Sequence, residues 1–216
     1  MQRRALYPTL ITAAALGLLV QACDNAPKAG AQLSVKEVSA AADTKAPQGS
    51  SRYVFDQQSS KVTWVGAKVT GKHDGSFERF TGNIDLVGDS PEKGKVNVEL
   101  DANSLNADHP KLTNHLKSAD FFDAAKYPKV RFTSTEVKPA GAAGKYLVTG
   151  NLDLHGVSRS VSFPATIEKT GDGVRAVAEF TFNRRDFNIN YDGMANDLIK
   201  NEVSVRLSIN AKAGDS

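Results

Sequence analysis

The stretch YLVTGNLDLHGVSRSVSFPATI, residues 146–167, decides what kind of fold this chain builds. Tyr146, Val148, Gly150, Leu152 and Leu154 alternate with Leu147, Thr149, Asn151, Asp153 and His155. Val161, Phe163, Ala165 and Ile167 repeat the pattern. A period of two sends successive side chains to opposite faces of a strand, so each run presents one apolar face. That is the mark of half-buried antiparallel strands.

The same period extends in both directions. It appears in Phe80 to Leu86, in Val96 to Leu100, in Val174 to Phe182 and in Val203 to Ile209. Turn-forming residues punctuate these runs at 88–94, 139–144 and 171–173. Around Trp64 both faces carry apolar residues, so the pattern there is ambiguous. One segment departs from the period. Asp108 can cap a helix, Pro110 suits its first turn, and Leu112 and Leu116 lie four apart on one face. The spacing predicts a short helix from Pro110 to Ser118.

About eight strands and one short helix cannot cover every apolar face with helices, so the sheet must close on itself or fold over. Closure also removes exposed edges. The expected fold is therefore all-β: an antiparallel eight-stranded barrel with one short helix. Such a barrel either fills with side chains or holds one small ligand. Gly82, Gly150, Ala165, Ala176 and Ala178 fall on the predicted inward faces, where they leave a lumen open or make room for phenylalanine rings.

The ends read differently. Arg3 and Arg4 precede the apolar run Leu10–Val20, and Leu19-Val20-Gln21-Ala22-Cys23 closes it. A basic start, a short apolar core and a small residue before the cut describe an export signal over residues 1–22. The run is shorter than the ~20 residues that a spanning helix needs. Cys23, the single cysteine, cannot form an internal disulfide. Its position resembles the lipobox of bacterial lipoproteins, which implies acylation with chains such as palmitate, a membrane anchor and a place on the periplasmic side of the envelope. Asp24 points within that group to the inner membrane. Residues 24–51, rich in Ala, Ser, Lys, Gln and Pro without an apolar period, read with Cys23 as a flexible tether, and 52–213 as the barrel. Removing Arg3 and Arg4 leaves 25 basic against 24 acidic residues, a charge of +1, and no basic run is interleaved with aromatics. Nucleic acid is not an expected partner.

Between helix and next strand lies HLKSADFFDAAKYPKVRF, residues 115–132. It resembles the most recognisable segment of the YceI-like family, lipocalin-like polyisoprenoid-binding proteins. GKHDGSFERFTGNI, YLVTGNLDLHGVSRSVSFP and FNRRDFNI resemble three further stretches of that family, in order, across Tyr53 to Ala211. Many relatives carry an Arg-Asp pair where this chain has Leu112-Thr113-Asn114. The resemblance implies an extended lipocalin-like barrel, with the short helix at its mouth, holding a long isoprenoid chain, such as the tail of a quinone-type lipid, in an apolar tunnel. No other cofactor is expected.

On that expectation Phe80, Ile84, Phe132, Val148 and Leu152 are candidate lining residues on the strands, with Phe163 and Phe182. Leu116, Phe121 and Phe122 would form a cover at the barrel mouth, with Asp120 and Asp123 fixing the turn by accepting backbone N–H bonds. His115 is a candidate contact for a ligand headgroup. The four histidines make no HxH or HExxH spacing, so neither a metal site nor catalysis is expected. Arg184-Arg185-Asp186 reads as a charged rim. Two other classes stay open: an enzyme or metal-dependent envelope stress protein using the pocket, and a ligand-free barrel that contacts envelope proteins.

Overall fold

The structure, a computed structural model, describes residues 30–38 and 40–214. The export signal and Cys23 lie outside these residues. Eight antiparallel strands close into a barrel: β3 (Ser50–Asp56), β6 (Phe80–Val87), β7 (Ser90–Asp101), β9 (Lys129–Pro139), β10 (Lys145–Leu154), β11 (Val157–Thr170), β12 (Gly173–Asn183) and β15 (Glu202–Ala213). Each pairs with the next around the ring, and β15 returns to β3.

Alternation explains the walls, and turn chemistry explains the register. His155 and Gly156, between β10 and β11, both adopt positive φ, as do Gly88 and Asp89 between β6 and β7. Two-residue turns of that kind match the right-handed twist of the strands they join. A side chain at Gly156 would also collide with the Tyr127 ring at 2.4 Å.

The wall divides around one hairpin. β15 pairs with β4 (Lys61–Lys68) along Ser204–Ser208, then with β3 at Lys212 and Ala213 alone. Asn210, at the switch, donates from its backbone N to Ser60 Oγ and from its side chain to the Ser59 carbonyl. Beyond it, β4, β5 (Gly71–Phe77) and β8 (Leu105–Ala107) form a flap that widens one end of the barrel. The ambiguous Trp64 run is thus a strand in a splayed corner.

A second gap opens between β11 and β12. Their pairing ends at Ala165 and Ala178, and residues 30–36 fill the space beyond. β1 (Ala31–Gln32) lies parallel to Phe180 and Thr181, and β2 (Ser34–Lys36) antiparallel to Ser160–Ser162. Between them Leu33 is buried and donates its N–H to the Thr181 carbonyl. This corrects the expectation of a flexible tether. Two paired residues before one buried leucine and three after it are too few to show as an apolar period.

The helix α1 (Pro110–Lys117) forms as expected, with Pro110 in its first turn. Its N-cap is His109, whose Nδ1 accepts from the Lys111 N–H, rather than Asp108. Asp108 is engaged by His73 Nδ1 at 3.0 Å. The 121–122 turn after the helix is tied by backbone bonds, from Phe122 N to Leu116 O and from Asp123 N to Ser118 O. The flanking aspartates play other parts: Asp120 accepts from His115, and Asp123 supplies a left-handed backbone position.

Candidate functional site

The interior is divided lengthwise. In one half the inward residues interlock as core, including Ile84, Leu86, Val137, Val148, Ile167 and Ile209. In the other half the same faces line a cavity of about 340 Å³. β15 shows the division: Val203, Val205 and Leu207 face the cavity, whereas Ile209 and Ala211 are packed. Such a volume lies at the low end of small-molecule sites, roughly 300–1,000 Å³.

Gly75, Gly82 and Gly150 do not create this space. A Cβ at Gly82 would meet the Phe55 ring at 2.2 Å, and one at Gly150 would meet Phe132 Cζ at 2.5 Å. A Cβ at Gly75 would meet Trp64 at 2.1 Å. Each glycine makes room for an aromatic ring from the neighbouring strand. The cavity exists instead where the flap and the inserted segment hold the wall apart.

Two pieces roof it. One is α1 with its following turn, contributing Leu116, Phe121 and Phe122. The other is the segment after β12, which carries the short hairpin β13 (Gly193–Met194) and β14 (Asp197–Leu198) and contributes Ile189 and Ile199. An aromatic cluster clasps the two together. The His115 ring meets Phe121 edge-on at 5.0 Å and Tyr191 at 4.9 Å, and its Nε2 pairs with Asp120 at 2.8 Å. Edge-to-face contacts at such spacing stabilise beyond simple burial. His115 therefore does not sit in the cavity wall as a headgroup contact; it joins the two halves of the roof.

Of the lining residues expected from sequence, Phe132, Leu152, Phe163 and Phe182 are in the cavity wall, as are the three roof residues. Phe80, Ile84 and Val148 are not. Ile84 and Val148 point inward in the packed half. Phe80 is also buried core, at the floor of an outer depression beside Arg79, Asp101 and Lys129. Phe163 stacks on Phe180 at 4.7 Å and 28° immediately behind the inserted segment, and tilts toward Phe132 at 5.4 Å.

Polar groups gather at the flap side. Lys68 Nζ lies 2.5 Å from Asp197 Oδ2, and His73 is held by Asp108. The Lys68 ammonium keeps the Asp197 carboxyl below the usual carboxylate range. Arg184, expected on a charged rim, is 3% exposed and lines the cavity. It occupies a 3₁₀ turn just past β12, and the segment folding back over it supplies the cover that sequence could not show. Burial pulls its pKa down, Arg185 adds repulsion, and Asp192 and Glu202 oppose both. Trp64 Nε1–H, in the flap, is a buried donor without a partner, an arrangement that costs about 1–3 kcal/mol.

Among the described residues no group of three His, Cys, Asp or Glu side chains could hold a metal ion, and no helix is long and apolar enough to cross a membrane. A closed antiparallel barrel with a roofed apolar cavity defines a lipocalin-like fold. The YceI-like domain model matches residues 53–211, and the chain belongs to that family. A UPF0312 protein of Pseudomonas putida strain W619 is 39% identical over 137 residues, 61% of this chain and 71% of the relative. The YceI protein of Salmonella arizonae is 38% identical over 138 residues, with the same coverage of both. The crystal structure of Burkholderia cenocepacia BcnA superposes with a TM-score of 0.65 at 24% identity, covering 71% of this chain and 96% of that one. A polyisoprenoid-binding domain from Saccharophagus degradans superposes at 0.61 and 17% identity, covering 76% and 99%.

Proposed function

We propose that the protein binds a polyisoprenoid or similarly long apolar lipid, and stores, carries or sequesters it rather than transforming it. The observation that carries this reading is the roofed cavity itself, apolar over nearly all of its wall within an otherwise densely packed barrel. A structurally similar domain described as polyisoprenoid-binding supports the lipid class. A chain gains roughly 25 cal/mol for each Å² of apolar surface it buries, and a preformed pocket lowers the ordering cost that opposes that gain. With 340 Å³ available, a long ligand lodges one end here, and the remainder must pass through the wall or roof.

An organic extract of gently purified protein is expected to contain a long-chain lipid by mass spectrometry. Val203→Trp, which projects a large ring into the cavity from β15, should lose that lipid while keeping its strand-rich circular dichroism. Wild-type protein that carries no lipid and binds no isoprenoid analogue would sink the reading.

The lipid anchor belongs to the same proposal. Acylation at Cys23 would hold the barrel at the periplasmic face of a membrane, and Asp24 favours the inner one. Each buried CH₂ adds about 0.8 kcal/mol, and a single chain anchors only marginally, so stable attachment takes more than one. Cys23→Ser is expected to move the protein from the membrane pellet to the soluble fraction, or to stall its processing. Wild-type protein found soluble and without acyl chains would overturn this part alone.

A further inference from the structure

The basic side chains in the cavity wall, Lys68, His73, Arg184 and Lys200, are not equivalent. Lys68 has the Asp197 carboxylate as its partner, and His73 has Asp108. Arg184 has neither. Its Nη1 donates to the Ile189 carbonyl at 2.6 Å, Nε to Lys200 O at 3.2 Å and Nη2 to Ile199 O at 3.5 Å. Among the described residues no carboxylate forms an ion pair with it. Asp192 and Glu202 attract it from a distance, and Asp192 is itself bound by Arg185.

A guanidinium presents five N–H groups in a planar fork, so three carbonyl partners leave two donors. Carbonyls supply dipoles but no countercharge, and a buried charge without one is costly. Neutral acceptors, such as the oxygens of a quinone ring, would satisfy the donors and leave that charge uncompensated. A carboxylate or phosphate oxygen pair would do both, because its geometry matches the fork. Arg184 stands beside wall residues such as Phe182 and Val203, which would follow the first carbons of a chain.

We propose that Arg184 is the head-group anchor of the cavity: the bound lipid places an anionic head, a carboxylate or phosphate monoester, against the free side of the guanidinium while its chain runs along the apolar wall. This rests on the lipid-binding reading and narrows it from apolar molecules to acidic amphiphiles. The carbonyl bonds of Arg184 also fasten the segment that forms half of the roof, so the same side chain both seats the head and holds the cover.

The test compares two probes that differ only at the head, geranylgeranoic acid and geranylgeraniol, by titration calorimetry at pH 8, where the acid is ionised. Wild type is expected to bind the acid at least about tenfold more tightly than the alcohol, as suits a charge-assisted hydrogen bond. Arg184→Gln should bring the two affinities within about threefold of each other by weakening the acid alone, and Arg184→Lys should keep much of the preference. Equal binding of both probes to wild type overturns the anchor while leaving lipid binding intact, and so does a preference that survives in Arg184→Gln. Binding of neither probe removes the lipid-binding reading, and the anchor with it. If Arg184→Gln does not fold, the wild-type ratio and the lysine variant decide.

Discussion

A chain beginning at Asp43 is expected to melt about 10 °C below one beginning at Asp24, and to release bound lipid faster. The missing residues include the segment that closes the space between β11 and β12. Burying one leucine contributes about 1.5–3 kcal/mol, and Leu33 is 4% exposed. Its loss would also uncover the stacked Phe163 and Phe180 rings and free two stretches of strand edge. Ordering the segment offsets part of this, so a net loss on the order of 3 kcal/mol is reasonable. In a domain of this size each kcal/mol moves the midpoint by roughly 2–4 °C. The Asn151 bond to the Ala40 carbonyl and the Arg159–Glu37 pair should add little, being exposed. Thermal melts of the two chains provide the measurement. Coincident midpoints would mean that the segment rests on the barrel without closing it.

Gly150→Leu is expected to leave no folded protein. A Cβ at this position would lie 2.5 Å from both Phe132 Cζ and the Thr133 carbonyl oxygen. The oxygen cannot retreat, because β9 and β10 are paired on both sides of the irregularity at Thr149 and Gly150. The ring borders the cavity, but it can swing there only by giving up its packing on Phe163. Overfilling a packed core costs about 1–3 kcal/mol when side chains can yield, and here backbone must move as well. Total stabilities are about 5–15 kcal/mol, so the loss consumes much of what holds the barrel. Soluble yield and circular dichroism would show it. A folded Gly150→Leu with a normal melt would mean that Phe132 has a second place to go. The contrast with Val203→Trp is informative, since that larger addition points into empty space.

Much of the wall was legible in the sequence because period two is a property of the strand itself. The faces of β10, β11 and β12 follow from alternation alone. Which half of the barrel is packed does not. Val148 and Leu152 are the same kind of residue on the same face, yet one is core and the other lines the cavity. The difference lies in where the flap and the inserted segment hold neighbouring strands apart, a fact about distant residues. Gly82 and Gly150 were likewise recognisable as inward-facing, but not as sites already covered by Phe55 and Phe132. The Leu116-Phe121-Phe122 roof was visible as an aromatic turn after the lone helix. Arg184 was hidden by its position just beyond a strand, where charge normally meets water. His115 was visible as unusual, but its partner Tyr191 lies on a loop with no periodic pattern.

The two-pair seam between β3 and β15 also governs timing. From β6 to β12 the ring is built from strands that follow one another along the chain, apart from the excursion through β8 and α1, and such neighbours can meet early. Tyr53 and Val54 must wait for Ala213 and Lys212, at the other end of the domain. Contacts so far apart in sequence slow folding toward milliseconds to seconds, because the chain gives up its freedom before the last pairs reward it. Until they form, β3 and the end of β15 beyond its pairing with β4 remain open edges able to pair with another chain. The seam is therefore where assembly finishes, where the first amides should exchange with solvent on opening, and where a crowded, half-finished chain is most exposed to the wrong neighbour.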